Sequence, residues 1–538
     1  MDYFDLGTHG RAVSDVPEAQ TWFDRGLVWT YGYNHEEAIA CFERALAADP
    51  GCAMSLWGIA YAVGPNYNKV WEDFGPAERP AMLQTANDAL DRAEAMQADA
   101  PTAALIAALR QRYPRDVPED YAPFHAAYAR AMAGCLDAYP HDLDIICLYA
   151  EAEMNRAPWA LWDWRTGAPS DVADTRRVQA TLESAFERPE AWDHPGLLHM
   201  YVHLMEQSAT PERALRHGDR LATVVPASGH LIHMGTHIDV QCGDYHTTVA
   251  RNLAAIVQDD LYRDYAGSEG FYMLYCLHNM SFTLYGAMFL GQKRIALEMG
   301  DRLIGAMSRS FLDTYADWFE AFAAKKQHAM VRFGMWEEIL EQPFPEDIAL
   351  YAQTHAAQRY ARAVALANTG AAAAARNEAA AFEAARDAVP EARVLFNNSC
   401  ADLNTIATEV MWGEILYHEG AYDAAFTRLR RAVELDDALH YDEPWGWMMP
   451  TRHPLGALLA EQGHWAEAEA VFRADLGLDG TLPRACQHPG NIWALKGLDE
   501  CLEARGEEVE RRHIRAQLAQ ATARADAGIA AACFCRSR

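Results

Sequence analysis

The chain has 538 residues, 51% of them hydrophobic, and a formal net charge of −30. That length and apolar share suffice for several domains or for one long repeat array. So acidic a surface argues against nucleic acid or an anionic membrane as a partner. The opening MDYFDLGTHGRAVSD lacks a basic segment followed by an apolar run, and no stretch approaches about 18 apolar residues, the length a membrane helix needs. Eleven scattered cysteines without a C-x-x-C pair read as reduced thiols. Together these features set the expectation of a cytoplasmic protein.

Residues 19–52 read as a helix-turn-helix unit. Phe23, Gly26, Trp29 and Tyr33 mark its first helix, and Ala38, Phe42, Ala45 and Leu46 its second. The second helix stops at Asp49-Pro50, where proline cannot continue it. Spacings of three and four give both helices an apolar stripe. The small residues Gly26, Ala38 and Ala45 stand where two helices need close approach. The same order returns at 402–436 through Gly413, Tyr417, Gly420, Tyr422, Ala425, Phe426 and Ala432, and at 453–476 through Leu455, Gly456, Gly463, Trp465, Ala468 and Phe472. A further copy opens at Asn491-Ile492-Trp493-Ala494-Leu495.

This pattern resembles the tetratricopeptide repeat, a unit of about 34 residues. Helical pairs at 313–343 and 347–388 match it less closely. Asn34-His35-Glu36-Glu37-Ala38, Trp57-Gly58 and Gly64-Pro65-Asn66-Tyr67-Asn68 are also similar to a largely uncharacterised group of bacterial repeat proteins, which implies a fold and no particular activity. Strand signals are nearly absent, and the alanine-rich Ala371–Arg386 favours helix. The expectation is an all-α solenoid of tetratricopeptide-like repeats running continuously over 1–538. Its parts would be N-terminal repeats at 19–115, histidine-rich repeats at 171–300, helical pairs at 301–390, C-terminal repeats at 402–525 and a cysteine-containing tail at 526–538.

Three segments break the rhythm: Gly64 to Pro80, Pro158 to Ser170, and His440 to His453. Each is rich in aromatics, proline and glycine, as expected of a loop with bulky side chains. Asn66, Tyr67, Trp159, Trp162, Trp445 and Trp447 are candidates to line a substrate pocket, since Trp and Tyr bury area while keeping a polar handle. The plainer alternative is that these aromatics staple each loop to the helices.

Nine of the 21 histidines fall between His194 and His278. Two copies of His-Met-x-x-His stand among them, His199 with His203 and His233 with His237. Corresponding members lie 34 residues apart, the repeat period. Within each copy the i and i+4 positions share one helix face. On helices drawn at 195–208, 210–225, 228–242 and 244–260, the two copies occupy the first helices of successive repeats, which pack about 8–10 Å apart. His230 extends the second face by a turn, and His278 sits on the next first helix. Glu206 and Asp239 are candidate carboxylate ligands, or partners that hold an imidazole tautomer. Cys533 and Cys535 are candidate soft ligands if the tail reaches the cluster, against a frayed terminus as the plain alternative. Four or more imidazoles suit copper, iron or zinc and exclude calcium or magnesium.

Other chemical templates fail. No Gly-rich phosphate loop, nucleophile elbow or H-E-x-x-H is present. Glu151 and Glu153 point to opposite sides of a helix and make no acid/base pair. The sequence therefore points to a metal-dependent enzyme acting on a small molecule, with oxidation preferred over hydrolysis because Cys, Met and Tyr accompany the histidines. The alternative is a scaffold that binds a peptide or protein in a concave groove, its histidines structural.

Overall fold

Short polar residues set where the helices begin. Asn34, Asp99, Asp142, Asp174, Ser228 and Asn491 each accept a hydrogen bond from the backbone N–H three residues on. Each satisfies a donor that a first helical turn leaves over. In the computed structural model the result is an all-α protein. The structure describes residues 3–536; residues 1, 2, 537 and 538, at the outer ends of the predicted array and tail, lie outside the described residues.

The chain divides into two compact units, Met1–Ile238 with Val257–Asp259, and Asp239–Ile256 with Asp260–Arg538. The first contains α1 (Pro17–Tyr31), α2 (His35–Ala48), α3 (Ala53–Ala62), α4 (Glu78–Glu94), α5 (Ala100–Arg110) and α6 (Ala122–Ala138). It continues with α7 (Leu143–Met154), α8 (Thr175–Ala185), α9 (Pro195–Glu206), α10 (Leu215–Val224) and α11 (Gly229–His233), and the division falls inside α12 (Thr236–Gln241). Consecutive helices pack as antiparallel pairs, and α1, α3 and α5 also meet as alternate members. α9 packs against α1 as well as α7, α8 and α10, so the first helix of the unit covers the one that carries the first His-Met-x-x-His.

The second unit holds α13 (Tyr245–Ala266), α14 (Met273–Phe289), α15 (Lys293–Ala306), α16 (Arg309–Phe319), α17 (Ala321–Arg332), α18 (Trp336–Glu341), α19 (Ala352–Asn368) and α20 (Ala372–Asp387). It ends with α21 (Cys400–His418), α22 (Tyr422–Asp436), α23 (Arg452–Glu461), α24 (Trp465–Asp475), α25 (Ile492–Arg505) and α26 (Glu508–Thr522). A two-residue hairpin, β1 (Val394–Leu395) with β2 (Asn398–Ser399), precedes α21. Here too alternate helices stack, α17 on α19, α19 on α21, and α23 on α25.

The helical pairs expected at 19–52, 402–436 and 453–476 are α1–α2, α21–α22 and α23–α24, and the alanine-rich stretch is α20. The sequence drawing differs in three places, and the helix drawn at 244–260 runs on to Ala266 as α13. The 210–225 helix opens with a 3-10 turn at Pro211–Ala214 before α10, and the 228–242 helix is two short ones, α11 and α12, interrupted at Met234-Gly235.

Small residues do the expected work at helix crossings. A Cβ built on Gly26 or on Gly58 would stand 2.7 Å from the Phe42 ring, so α1 and α3 close on α2 only because neither position carries a side chain. Gly134 on α6, by contrast, has nothing within 4 Å. Gly58→Ala is expected to lower stability by about 1–3 kcal/mol through overpacking. Gly134→Ala should raise it by about 0.5–1 kcal/mol through helix propensity. Thermal melts of the two variants, read against wild type, should move in opposite directions.

Candidate metal centre

The centre is built from α9 upward. His194 caps this helix: its Nδ1 accepts the Leu197 N–H at 3.1 Å, which puts the ring proton on Nε2. That Nε2–H donates to Asp144 Oδ1 at 3.1 Å. Asp144, at the start of α7, also accepts from the Tyr31 hydroxyl at 2.6 Å, from His9 at 3.1 Å and from Arg11 at 3.0 Å. Burial works to raise the Asp144 pKa, but the hydrogen bonds and charge of His194 and His9 hold it well below the usual carboxylate range. Asp144 with Arg11, His9 and His194 is thus an internal hydrogen-bond network, in which the His194 nitrogens are both engaged.

Tyr31 carries this network to the next turn of α9. Its carbonyl accepts the His199 Nδ1–H at 2.7 Å. The lone pair of His199 therefore sits on Nε2, which has no hydrogen-bond partner although the residue is wholly buried. A buried unpartnered nitrogen costs free energy comparable to its lost hydration, and a neutral imidazole with its Nδ1–H held by a carbonyl is the arrangement of a metal ligand. Burial first, and then neighbouring His203, push the His199 pKa well below its ordinary value, which keeps the ring in its ligating form.

About two turns further, Glu206 holds two rings. It accepts from His203 Nδ1 at 3.0 Å and from His237 Nδ1 at 2.8 Å. Both rings then present Nε2 as the lone-pair nitrogen. His237 Nε2 lies 2.8 Å from His233 Nε2, and the Thr236 hydroxyl lies 3.2 Å from His233 Nδ1. A hydroxyl that donates to His233 Nδ1 leaves the His233 Nε2–H to donate to His237. The break between α11 and α12 thus keeps His233 and His237 on one side of the chain despite the interrupted helix.

Two overlapping groups bring one ligand atom from each residue within 4.8 Å: His199, His203 and His230, and His203, Glu206 and His237. The first is an all-imidazole set. In the second, Glu206 already accepts two imidazole N–H groups, so its geometry is that of an orienting carboxylate. Neutral imidazole donors inside an apolar shell fit a borderline transition metal and are poor for calcium or magnesium.

Aromatic rings wall the set. Tyr33, in a left-handed conformation with φ 56°, stands 4.6 Å from the His199 ring and 5.8 Å from that of His230. Tyr67 lies 4.8 Å from His203, and the Trp159 edge 6.1 Å from it. The Trp159 N–H donates to the Tyr67 hydroxyl at 3.1 Å, so the Gly64–Pro80 and Pro158–Ser170 loops meet over His203.

Most of the remaining sequence candidates have contacts of their own. The Asn66 side chain accepts from the Asn68 N–H and shapes the turn that carries Tyr67. Trp162 donates to the Leu204 carbonyl at 2.6 Å and lies under Arg176, so it staples its loop to α9. In the second unit, His278 packs edge-on against Phe282 and Phe396, and Asp239 pairs with Arg251 at 2.9 Å. Trp445 donates to Asp436 at 2.9 Å, and Trp447 lines a separate cavity. Cys533 and Cys535 are joined to each other within an apolar cluster that includes Phe472 and Leu498. Sequence reasoning missed Tyr31, Asp144 and Thr236, and it read Tyr33 as part of the first helix, which ends at Tyr31. Only Thr236 carried a signal, its place beside His237 inside the motif.

Two outcomes follow. Glu206→Gln replaces one acceptor oxygen by an amide nitrogen that cannot accept from His203 or His237. It should weaken transition-metal affinity about 10–100-fold, read by competition with a chromogenic chelator. Stability should also fall with acid. His35 and His125 are pushed down to about 3, mainly by burial and then by Arg112, and His199 is pushed well down. The unfolded rings titrate near about 6.5. These groups leave stability intact above that pH, and each ring that the fold keeps unprotonated costs about 1.4 kcal/mol per pH unit below it. Melting temperature should hold from pH 8 to 7 and drop steeply from about 6.5 toward 5.

No protein-family model matches the chain, and no curated protein matches it. Among solved structures, similarity extends to the anaphase-promoting complex hetero-tetramer Cut9–Hcn1, at 13% identity over 92% of this chain and 78% of that one, with a TM-score of 0.31. It extends also to the human IFIT1 dimer with m7Gppp-AAAA, at 10% identity over 94% and 90% of the two chains, with a TM-score of 0.31. A third is Naa15/Naa10 bound to HypK-THB, at 13% identity over 94% and 74%, with a TM-score of 0.24. At such scores these likenesses carry no argument about what the chain does, and its helix-pair architecture rests on its own helices.

Proposed function

We propose that the first unit holds a transition-metal ion on His199, His203 and His230, with His237 and His233 beside it, and that this centre acts on a small molecule. The observation that carries the reading is His199: a wholly buried neutral imidazole, its Nδ1–H fixed to the Tyr31 carbonyl and its Nε2 without a hydrogen-bond partner. Two further imidazoles share its neighbourhood, and one of them is oriented by Glu206. Copper, iron and zinc all suit such a set. Three imidazole ligands leave a coordination position for substrate, as in catalytic rather than closed structural sites. Tyr33, Tyr67 and Trp159 give that position aromatic walls. Oxidation stays our preferred chemistry for this centre, on the strength of its imidazole donors and the tyrosines beside it.

A groove-binding scaffold needs an open face for its peptide. The histidines of this cluster are all buried, and α1 packs over α9, so a peptide has no access to them as they stand.

The test is elemental analysis of protein purified without a histidine tag and without chelators, beside His199→Ala/His203→Ala. Wild type should carry about one copper, iron or zinc per chain, and the double variant should lose it while keeping its helical circular-dichroism spectrum. Wild type without stoichiometric metal, even after reconstitution with each of the three ions, sinks the reading.

A further inference from the structure

The second unit contains a buried cation that the metal centre does not use. Lys325, on α17, is 2% exposed. Its ammonium donates to the Ser281 hydroxyl and lies 4.9 Å and 5.7 Å from the ring centres of Phe322 and Phe396. Among the described residues no carboxylate is close enough to pair with it. Asp442 acts on it only through space, its own oxygens accepting from the Asn398 amide and the Glu443 N–H. A buried ammonium with one neutral partner is costly to keep, and two of its three donors are left over.

Beside Lys325 lies a small cavity of about 30 Å³. Tyr360 and Trp447 line it, both buried, and neither the Tyr360 hydroxyl nor the Trp447 Nε1–H has a hydrogen-bond partner. Gln327 Oε1 and His328 Nδ1, on the same lining, are likewise unpartnered. The rest of the wall is largely apolar, with Ala321, Ala324, Ala357 and Leu403. Polar groups in a protein interior are normally satisfied. Here several unsatisfied ones line one chamber, and its donors include one positive charge.

We propose that this cavity binds a small molecule bearing a carboxylate, whose oxygens accept from Lys325, Tyr360 and Trp447 while its carbon portion lies against the alanine wall. The single ammonium and the absence of arginine among the described residues of the lining favour a monovalent carboxylate over phosphate, which calls for more donors and more positive charge. Burial pushes the Lys325 amine down to about 7, with Asp442 working against it, and an anion at hydrogen-bond distance would restore its charge. None of this depends on a metal in the first unit.

The test uses the full chain and isothermal titration with acetate, pyruvate, succinate and inorganic phosphate. At least one carboxylate should bind saturably. Lys325→Met should weaken it about tenfold or more, and Tyr360→Phe and Trp447→Phe should each weaken it measurably. His199→Ala/His203→Ala should leave it unchanged, which separates this site from the metal centre. The proposal is overturned if no carboxylate binds saturably, if phosphate alone binds, or if affinity is equal in wild type and all three cavity variants. Should Lys325→Met fail to fold, the two conservative aromatic variants decide the outcome in the same way.

Discussion

Glu206 holds the histidine cluster together. It is a carboxylate with no exposed surface, and its two oxygens take N–H groups from His203 and His237. A buried carboxylate is tolerated only where such donors compensate its lost hydration. The compensation has a consequence for chemistry, because every Nδ1–H given to Glu206 fixes an Nε2 lone pair on the far side of the ring. One desolvated charge thereby sets the tautomer of imidazoles that come from two different stretches of the chain. Removing it would orphan both rings at once.

A second carboxylate works at one remove. Asp144 gathers His194, His9, Arg11 and the Tyr31 hydroxyl, and the Tyr31 carbonyl fixes His199. The start of α9, the end of α1 and the start of α7 are locked by the same network that orients a candidate ligand. Gly196 permits it, since a Cβ there would stand 2.5 Å from Cys147 Sγ and 2.8 Å from the Tyr31 ring. The second unit repeats the device with different residues: Asp475 accepts from His453, His488 and Asn491. There Arg332 donates to the other nitrogen of His453, so both of its nitrogens are engaged and the arrangement is structural. The contrast separates the two roles of buried histidine in this protein. A histidine with both nitrogens bonded holds the fold together. His199, with one bonded and one bare, is available to a ligand.

The aromatic loops split along the same line. Trp162 and Trp445 spend their indole N–H groups on Leu204 and Asp436 and fasten their loops down. Tyr67 and Trp159 turn instead toward His203, and Trp447, whose N–H has no partner, lines the cavity beside Lys325. Composition cannot tell these apart. All of them are bulky rings in loops rich in proline and glycine, and their difference lies in which backbone carbonyl or carboxylate happens to be near.

Much of the architecture is legible in the residues because it depends on local rules. Helix periodicity, polar N-caps, proline stops and small residues at crossings act over a few positions, and they suffice to place α1–α2 and α21–α24. The His-Met-x-x-His spacing likewise puts two imidazoles on one face of any helix that carries it, as α9 does in the first copy. Local rules do not reveal the break at Met234-Gly235 or the covering of α9 by α1. Nor do they show that His230 joins the first pair more closely than His233 does, or that Lys325 faces a cavity. Those outcomes rest on partners far away in the chain, such as the Tyr31 carbonyl 168 residues from His199. The sequence alone determined which residues have the chemistry to bind a metal, since donor type and helical period are local properties. Only the tertiary structure decided which nitrogens point where and which remain without partners, because hydrogen bonding in a dry interior is settled by whatever the folded chain brings within reach.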